Sequence, residues 1–359
     1  MADNKDKKVL NVPALRFPEF TEEWREYAIG NVLSIGNGRD YKHLHNGDIP
    51  VFGTGGYMTS VDDFLYDGES VFIGRKGTIN KPLYYNGKFW TVDTLFYTHS
   101  FVNVLPKFAY CLFQTINWLK YNEASGVPSL SKATIEKIKV RVPSMDEQGK
   151  LSNQLFLLDK RIEVQNKIIE KLETLIKGIR HNVFQQLRKD VGFNSTIGDI
   201  LSFEQPQRYI VSSTEYSDDS SCTPVLTANK AFILGYTTET DGIYSKGDCI
   251  IIDDFTLDCK YVSFPFKIKS SAIKILTAEN KYILRFIYEY LKSLDISTEE
   301  HKRHYITEIQ PSSCILPDDK TLTTIALMFE SITNKLENEQ SLALMLNKQK
   351  QYLLSKMFI

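Results

Sequence analysis

The chain has 359 residues, with 43 Lys and Arg against 44 Asp and Glu, which gives a formal net charge of −1. Hydrophobic residues at 42% and charged residues at 24% are typical of a folded globular chain and exclude disordered and fibrous classes. Balanced charge means that any contact with nucleic acid must come from local basic patches. Five scattered cysteines without a C-x-x-C pair predict free thiols and a cytoplasmic location, and no apolar run predicts a signal peptide or a membrane helix.

The first part of the chain predicts an N-terminal extension over 1–20 and a β-rich domain over 21–144. Short aromatic and β-branched runs at 70–73 and 89–92 are bounded by Asp-Gly and Asn-Gly pairs, which is typical of strands joined by tight turns. The stretch PVFGTGGY at 50–57 has the glycines of a cofactor-binding loop. No helical apolar stripe follows it, so a turn is the favoured interpretation.

A basic turn after the apolar strand at 70–73 is the most suggestive feature of this domain. An arginine fork there could read guanine, and lysines could contact phosphates, although a plain surface hairpin is the alternative. The DNA-contacting residues predicted in this turn are Arg75, Lys76, Thr78, Asn80 and Lys81. The same role is predicted for other polar loop residues of the domain: Arg39, Lys42, Thr54, Tyr57, Ser129 and Lys132.

Two long helices are predicted from an apolar rhythm with alternating steps of four and three residues. The rhythm runs through 151–183 and predicts a helix over 145–192, and it returns through 325–357 and predicts a second helix over 318–359. About 40 residues at 1.5 Å each span roughly 60 Å, which is longer than one domain is wide. We therefore expect the two helices to pack against each other as an antiparallel coiled coil that separates the domains.

A second β-rich domain is predicted over 193–317 because the chain repeats itself. AIGNVL at 28–33 returns as TIGDIL at 196–201, and IPVF at 49–52 returns as TPVL at 223–226, roughly 170 residues later and in the same order. The fold class is therefore α+β, with two mixed β-rich domains, two long helices and a pseudo-two-fold internal repeat. The DNA-contacting residues predicted here are Thr227, Asn229, Lys230, Asp254, Thr256, Lys260, Lys302, Arg303 and His304.

Catalytic motifs are weak throughout, and we predict no catalytic, cofactor-binding or metal-binding residue. Asp248, Asp258 and Lys260 could form a magnesium-dependent nuclease centre, but the first copy of the repeat carries a different sequence at the corresponding place. A stand-alone nuclease therefore remains an alternative, as does a coiled-coil protein without DNA selectivity. The histidines at 43–45 and 301–304 have no partner at ligand spacing and favour basic loops.

Four sequence words in the first half carry a resemblance to a known family. They are LRFPEF at 15–20 with Trp24, FIGRKGTINKPLY at 72–84, FWTVDTLFY at 89–97 and GVPSLSK at 126–132. Together with the repeat and the two long helices, they make the chain resemble the specificity (S) subunit of a type I restriction–modification system over nearly its whole length.

The resemblance implies two target-recognition domains, each of which reads one half of a bipartite site in double-stranded DNA. The helices would set the spacer between the half-sites and dock two modification subunits. It further implies that those partners bind S-adenosylmethionine and methylate adenine N6, and that restriction subunits supply an ATP- and Mg-dependent translocase and endonuclease. This chain would then be no enzyme and would hold no cofactor. A methylation-only or type IIB-like system is the alternative within the same class.

Overall fold

The computed structural model describes residues 11–228, 231–294 and 303–359. The chain forms two compact units. Unit 1 contains the chain up to Asn166 together with Leu342–Ile359, and unit 2 contains Lys167–Ser341. The sequence predicts domains in which each long helix lies outside the β-rich regions. In the structure, each compact unit contains a β-rich region together with one part of both long helices.

Unit 1 is built around a six-stranded sheet in which strands distant in sequence are neighbours. Its order is β2-β7-β5-β6-β3-β4, and a separate antiparallel pair joins β1 to β8. The strands are β1 (Arg25–Ala28), β2 (Ser34–Asn37), β3 (Asn46–Gly53), β4 (Gly56–Val61), β5 (Tyr66–Gly74), β6 (Leu83–Thr91), β7 (Leu95–His99) and β8 (Lys139–Val142). The helices are α1 (Ile29–Val32), α2 (Pro106–Phe113) and α3 (Lys132–Lys137), with a 3-10 turn at Trp118–Tyr121.

The β5–β6 hairpin curls over the sheet because two glycines face each other in it. Gly68 and Gly87 are directly paired and have φ values of 139° and 130°, which side chains rarely adopt. The curl brings the rings of Phe72 and Phe89 to 4.7 Å, although they lie far apart along the hairpin. These two rings and Phe52 form an aromatic core inside the curl. The opposite face of the sheet packs against α2, α3 and the long helices.

Unit 2 repeats this topology with shorter strands. Its main sheet has the order β10-β16-β13-β14, and a second sheet has the order β12-β11-β15. The strands are β9 (Ser195–Thr196), β10 (Ser202–Glu204), β11 (Thr223–Leu226), β12 (Ile233–Thr237), β13 (Cys249–Asp253), β14 (Cys259–Val262), β15 (Lys267–Ile268), β16 (Ile273–Thr277) and β17 (Ser313–Cys314). The helices are α5 (Ile197–Ile200) and α6 (Lys281–Ser293), with a 3-10 turn at Pro206–Tyr209 and a π-helical turn at Tyr305–Ile309.

The repeat inferred from short sequence words is confirmed by strand order and by local contacts. In unit 1, β3 pairs in parallel with β6, and in unit 2, β11 pairs in parallel with β15. Gly30 and Gly198, the shared glycines of the first words, occupy the same tight place. A Cβ on Gly30 would lie 3.0 Å from Glu136 Cβ, and one on Gly198 would lie 2.8 Å from Gln310 Cγ. The glycine therefore recurs because α1 and α5 each approach a neighbouring segment closely.

The long helices are α4 (Met145–Asp190) and α7 (Asp319–Met357). The predicted apolar rhythm is their buried face: Leu151, Leu155 and Ile176 are buried, whereas Leu157 and Leu175 are exposed. This agreement between period and burial is expected for two helices that share a narrow seam.

The two helices run antiparallel in each unit. In unit 1, Lys350 Nζ near the end of α7 lies 2.6 Å from Asp159 Oδ1 in the first part of α4. In unit 2, the Arg180 guanidinium of late α4 lies over the Phe329 ring of early α7, 6.0 Å from its centroid. The end of α7 thus contacts the first part of α4, and the end of α4 contacts the first part of α7.

The LRFPEF word and Trp24 fasten the start of the described chain to α4. Arg16 donates two hydrogen bonds of 2.7 Å to the buried Glu147 carboxylate, and Trp24 Nε1 donates to the same group at 3.3 Å. The hydrogen bond to Glu147 raises the pKa of the Arg16 guanidinium. The Trp24 ring also meets Phe358 edge-on at 6.1 Å.

Candidate nucleic-acid interface

Several loops of unit 1 meet at one end of its sheet. The chain that leaves β2 is held there by backbone bonds: the Gly38 N–H donates to the Leu95 carbonyl at 3.0 Å, and the Arg39 N–H donates to the Thr91 carbonyl at 2.8 Å. We call this group of segments the first loop cluster, and it comprises residues 38–42, 53–58, 75–81, 93–94 and 126–129.

The basic turn lies at the centre of the first loop cluster. The Arg75 N–H donates to the Thr94 carbonyl at 2.8 Å, and the Gly77 N–H donates to the Pro128 carbonyl at 2.8 Å. A Cβ on Gly77 would lie 3.7 Å from Thr54 Oγ1, so the PVFGTGGY turn is next to it. The structure therefore gathers most of the predicted residues of this domain at one place. Exposed or half-buried there are Arg39, Lys42, Thr54, Tyr57, Arg75, Lys76, Thr78, Asn80, Lys81 and Ser129.

The GVPSLSK loop is held in place by side chains that receive its hydrogen bonds. Asn122 Oδ1 accepts from the Ser129 N–H at 2.9 Å, and the Glu123 carboxylate accepts from the Thr134 and Ser131 hydroxyls. The Thr134 hydrogen bond, followed by that from Ser131, lowers the pKa of Glu123. A loop fixed in this way can present Ser129 without a large entropic cost on binding.

Unit 2 builds an equivalent group of loops with the same backbone hydrogen bonds. The Asp254 N–H donates to the Ala272 carbonyl at 2.7 Å, as the Arg75 N–H does to Thr94 in unit 1. The His304 N–H donates to the Asp254 carbonyl at 2.8 Å, as the Leu130 N–H does to Arg75 at 2.9 Å. We call residues 227–228, 253–258, 269–272 and 303–304 the second loop cluster.

The side chains at the matched positions differ completely. Arg75 is exposed and lies over the Phe96 ring, 5.8 Å from its centroid. Its counterpart Asp254 is 1% exposed, and Lys274, the counterpart of Phe96, places Nζ 3.2 Å from Asp254 Oδ2. Lys274 Nζ donates a hydrogen bond to Gln205 Oε1 at 2.8 Å, and its contact with Asp254 is an ion pair. A cation–π pair in one unit is thus replaced by a buried ion pair in the other.

Two predicted DNA contacts are corrected by burial. Asp254 accepts from the Tyr305 N–H at 2.9 Å and pairs with Lys274, so its carboxylate holds the fold together and does not face solvent. The His304 side chain is buried, and its Nδ1 lies 2.8 Å from Glu308 Oε1, so it is no part of an exposed basic loop. Lys132 is exposed on α3 outside the cluster, and its Nζ donates to the Ile35 carbonyl at 2.7 Å.

The remaining predicted residues of unit 2 are dispersed. Arg303 is exposed beside the Phe255 ring at 6.0 Å, and Thr256 is exposed in the turn after β13. Thr227 is half-buried, and its N–H donates to the Phe232 carbonyl at 3.0 Å. Lys260 lies half-buried within β14. Asn229, Lys230 and Lys302 lie outside the described residues.

Sequence reasoning missed Lys269 and Met58. The Lys269 N–H donates to the Leu226 carbonyl at 3.1 Å, as the Val92 N–H does to Phe52, so this exposed lysine belongs to the second loop cluster. The spacing between equivalent residues of the two repeats is not constant here, so the sequence alone does not align Lys269 with Val92. Met58 is 51% exposed directly after the PVFGTGGY turn, and apolar exposure of that kind has no signal in a single sequence.

The geometry does not support a nuclease centre at Asp248, Asp258 and Lys260. Asp248 and Asp258 precede β13 and β14, which are antiparallel, so the length of β13 separates them, roughly 16 Å at the rise of a strand. Asp248 instead accepts a 2.7 Å hydrogen bond from the Tyr261 hydroxyl. Across 11–228, 231–294 and 303–359, no three His, Cys, Asp or Glu side chains form a metal-binding group.

The other sequence predictions about sites have clear outcomes. PVFGTGGY runs from β3 through a turn into β4, so the turn interpretation is confirmed and no helix follows the glycines. All five cysteines are free, and burial raises the pKa of Cys111 to about 12 and that of Cys259 to about 11. None of the helices in the described parts of the chain combines the length and apolarity that a membrane crossing requires.

Comparison with known proteins identifies relatives of both sequence and fold. Residues 21–174 match the family described as type I restriction modification DNA specificity domain. Over 143 residues the chain is 41% identical to the type I restriction enzyme EcoR124I/EcoR124II specificity subunit of Escherichia coli, an alignment that spans 38% of this chain and 35% of that protein. The crystal structure of a type I restriction-modification system S subunit from M. genitalium has a TM-score of 0.75, at 16% identity, over 97% of this chain and 99% of that chain.

The structural match shows that the S-subunit fold extends beyond the first β-rich region. It covers both units, whereas the sequence match covers only part of unit 1 and the start of α4. Unit 2 repeats the strand order of the matched region, with β14 and β15 in two separate sheets at the place of the single strand β6. Residues 21–174 therefore carry a type I restriction modification DNA specificity domain, and the chain as a whole has the fold of a type I S subunit.

Proposed function

We propose that the chain is a non-catalytic DNA-specificity subunit in which each loop cluster reads one half of a bipartite site in duplex DNA. The observation that carries the proposal is the exchange of side chains on a conserved backbone: Arg75 and Asp254 occupy equivalent positions with equivalent hydrogen bonds. A scaffold duplicated for stability alone would have no reason to vary its tips. Different side chains at equivalent loop positions are expected if the two loop clusters recognise different DNA sequences.

The charge of the first loop cluster supports a nucleic-acid partner. The chain has a net charge of −1, yet exposed cations gather in this cluster: Arg39, Lys42, Arg75, Lys76 and Lys81. Lysines and arginines there would contact phosphates and give a salt-dependent, sequence-independent affinity. The Arg75 guanidinium lies over a ring, and no carboxylate among the described residues forms an ion pair with it, so it is the best candidate for reading guanine.

In the second loop cluster we assign DNA contact to Lys269, Arg303 and Thr256. All three are exposed around the turn after β13 or beside it. Asp254 and His304 are not proposed as DNA contacts. The hydrogen bond from the His304 N–H to the Asp254 carbonyl positions the backbone next to Arg303. The second half-site would then be approached by cations at positions that differ from those in unit 1.

The long helices are the proposed docking surface for modification subunits. Four exposed apolar side chains lie along the middle of α4: Leu157 and Val164 in unit 1, and Ile168 and Leu175 in unit 2. These residues follow steps of seven, four and seven, which place them on one side of the helix away from the buried seam. Methyl transfer from S-adenosylmethionine and ATP-dependent cleavage would belong to the partner subunits.

Mapping of methylated adenines tests the proposal. The chain is expressed in cells with its neighbouring modification gene, and the expected result is adenine methylation at one bipartite sequence with a constant spacer. Methylation that is absent, or that follows no sequence, would contradict the proposed function. Leu157→Glu together with Val164→Glu should abolish co-purification with the modification subunit, whereas Glu170→Lys, at an exposed position on another side of α4, should not.

A further inference from the structure

Two apolar side chains project from the first loop cluster beside its cations. Tyr57 is 64% exposed and Met58 is 51% exposed. They follow Gly55 and Gly56, where an added Cβ would meet no atom within 4 Å, so this turn extends into open solvent. Exposed apolar groups at the tip of a turn are costly in water and point to a binding partner.

Both side chains are held in place before any partner binds. The Tyr57 hydroxyl lies 3.1 Å from Ser60 Oγ, and its ring meets the buried Phe52 ring edge-on at 6.5 Å. Met58 lies against Gly53, where a Cβ would be 2.6 Å from the Met58 sulfur. The missing side chain of Gly53 therefore makes the room that Met58 occupies. A preorganised pair of this kind loses little entropy on binding.

The neighbourhood of the pair is cationic. Thr54 is adjacent to Gly77, so the turn that carries Tyr57 lies beside the segment with the exposed Arg75 and Lys76. A partner that matches this surface must offer negative charge next to flat apolar groups. Duplex DNA does so, because its base steps lie between two rows of phosphates.

We propose that Tyr57 and Met58 act as a wedge that contacts and partly unstacks one base-pair step in the first half-site. The inference rests on the proposed function and adds a mechanism by which unit 1 senses how easily its DNA deforms. At the equivalent register of unit 2, Ile233 pairs with Leu226 as Tyr57 pairs with Phe52. Ile233 offers no flat ring, so the proposal concerns the first half-site alone.

The experiment uses the complex of the chain with its modification subunit and duplexes that contain the mapped site. A 2-aminopurine base is placed at each position of the first half-site in turn. With the wild-type chain, fluorescence should rise at one step on binding. Tyr57→Ala should abolish the rise and weaken binding roughly tenfold, while Tyr57→Phe, which keeps the ring, should retain both, and Met58→Ala should have a smaller effect.

Phe64→Ala is the matched control, since Phe64 is an exposed aromatic residue at the other end of β4, where its ring lies under Lys88 Nζ. It should leave fluorescence and affinity unchanged. If the wild-type complex does not distinguish the mapped duplex from a scrambled one, the proposed function fails. If it does distinguish them while Tyr57→Ala keeps the fluorescence rise, or weakens binding to both duplexes equally, the wedge is wrong and the proposed function stands.

Discussion

The first and second loop clusters differ most at the positions where their backbones agree best. The residue after the central strand is the exposed Arg75 in unit 1 and the buried Asp254 in unit 2, although the same donors and acceptors hold both. The residue beneath it is Phe96 in one unit and Lys274 in the other. Each pair is internally compatible, and exchanging one partner between the units would take the nearest opposite charge away from a buried group.

This difference teaches that the scaffold and the tips of the loops obey separate constraints. Backbone hydrogen bonds and the tight glycines Gly30 and Gly198 recur because the strand arrangement needs them. The cations do not recur: unit 1 presents Arg75 and Lys76, whereas unit 2 presents Lys269 and Arg303 at other positions. Two heads of this kind can change what they read without changing how they fold.

The largest effect is expected from Lys274→Met, which tests whether the buried ion pair is essential to unit 2. The change removes the buried cation beside the Asp254 carboxylate and leaves only the exposed Arg303, whose Nε lies 3.9 Å from Asp254 Oδ2. The free energy of unfolding should therefore fall by about 3 kcal/mol, the lower end of the range for a broken buried ion pair. The measurement is urea unfolding followed by circular dichroism. Asp254→Asn combined with Lys274→Met should recover most of the loss.

The matched control in unit 1 is Phe96→Met, which keeps an apolar side chain beneath Arg75 and should cost less than about 1.5 kcal/mol. A Lys274→Met chain as stable as the wild type would show that Asp254 does not depend on Lys274 and would remove the contrast between the two pairs.

The next effect in size is expected from Arg75→Ala, which should lower discrimination at the first half-site by about 1–3 kcal/mol. The measurement is the methylation rate of each half-site in the reconstituted complex. Arg303→Ala should act on the second half-site only, and Arg75→Lys should recover part of the loss because it keeps the charge without the planar fork. Equal loss at both half-sites after either change would contradict separate reading heads.

Gly30→Ala and Gly198→Ala test whether the two units share one tight contact. Each new Cβ would crowd a neighbouring side chain, so each change should lower the free energy of unfolding by about 1–2 kcal/mol. Gly178→Ala is the control, because a Cβ there meets nothing within 4 Å and should stabilise α4 by about 0.5–1 kcal/mol. A stabilising effect at Gly30 or Gly198 would mean that the close approach is not what retains the glycine.

The smallest effect is expected from Lys76→Ala and Lys81→Ala, which probe phosphate contacts of the first loop cluster. Each should reduce the slope of log affinity against log salt concentration by about one, equally on mapped and scrambled duplexes. Lys88→Ala, which removes a lysine that lies over Phe64 outside the cluster, should leave the slope unchanged. A change of sequence preference after Lys76→Ala would assign this lysine to base reading.

Sequence patterns predicted the features that depend on local periodicity. The long helices lie where the four-three rhythm places them, and the buried face of α4 is the predicted seam. The PVFGTGGY turn was recognised because the residues after its glycines lack a helical stripe. The burial of Asp254 was not predictable in this way, because it depends on Lys274, which lies across the sheet on another strand.

By itself the sequence determined the repeat, the strands with their turns and the two helical seams, since each is written in neighbouring residues or in words that recur along the chain. Only the tertiary structure decided which polar side chains share a surface. The first loop cluster joins Arg75 to Thr94 and Leu130 through backbone bonds between segments remote in the chain. Whether a charged residue in such a cluster faces solvent or a buried partner follows from what the sheet places opposite it, and no local pattern encodes that neighbour.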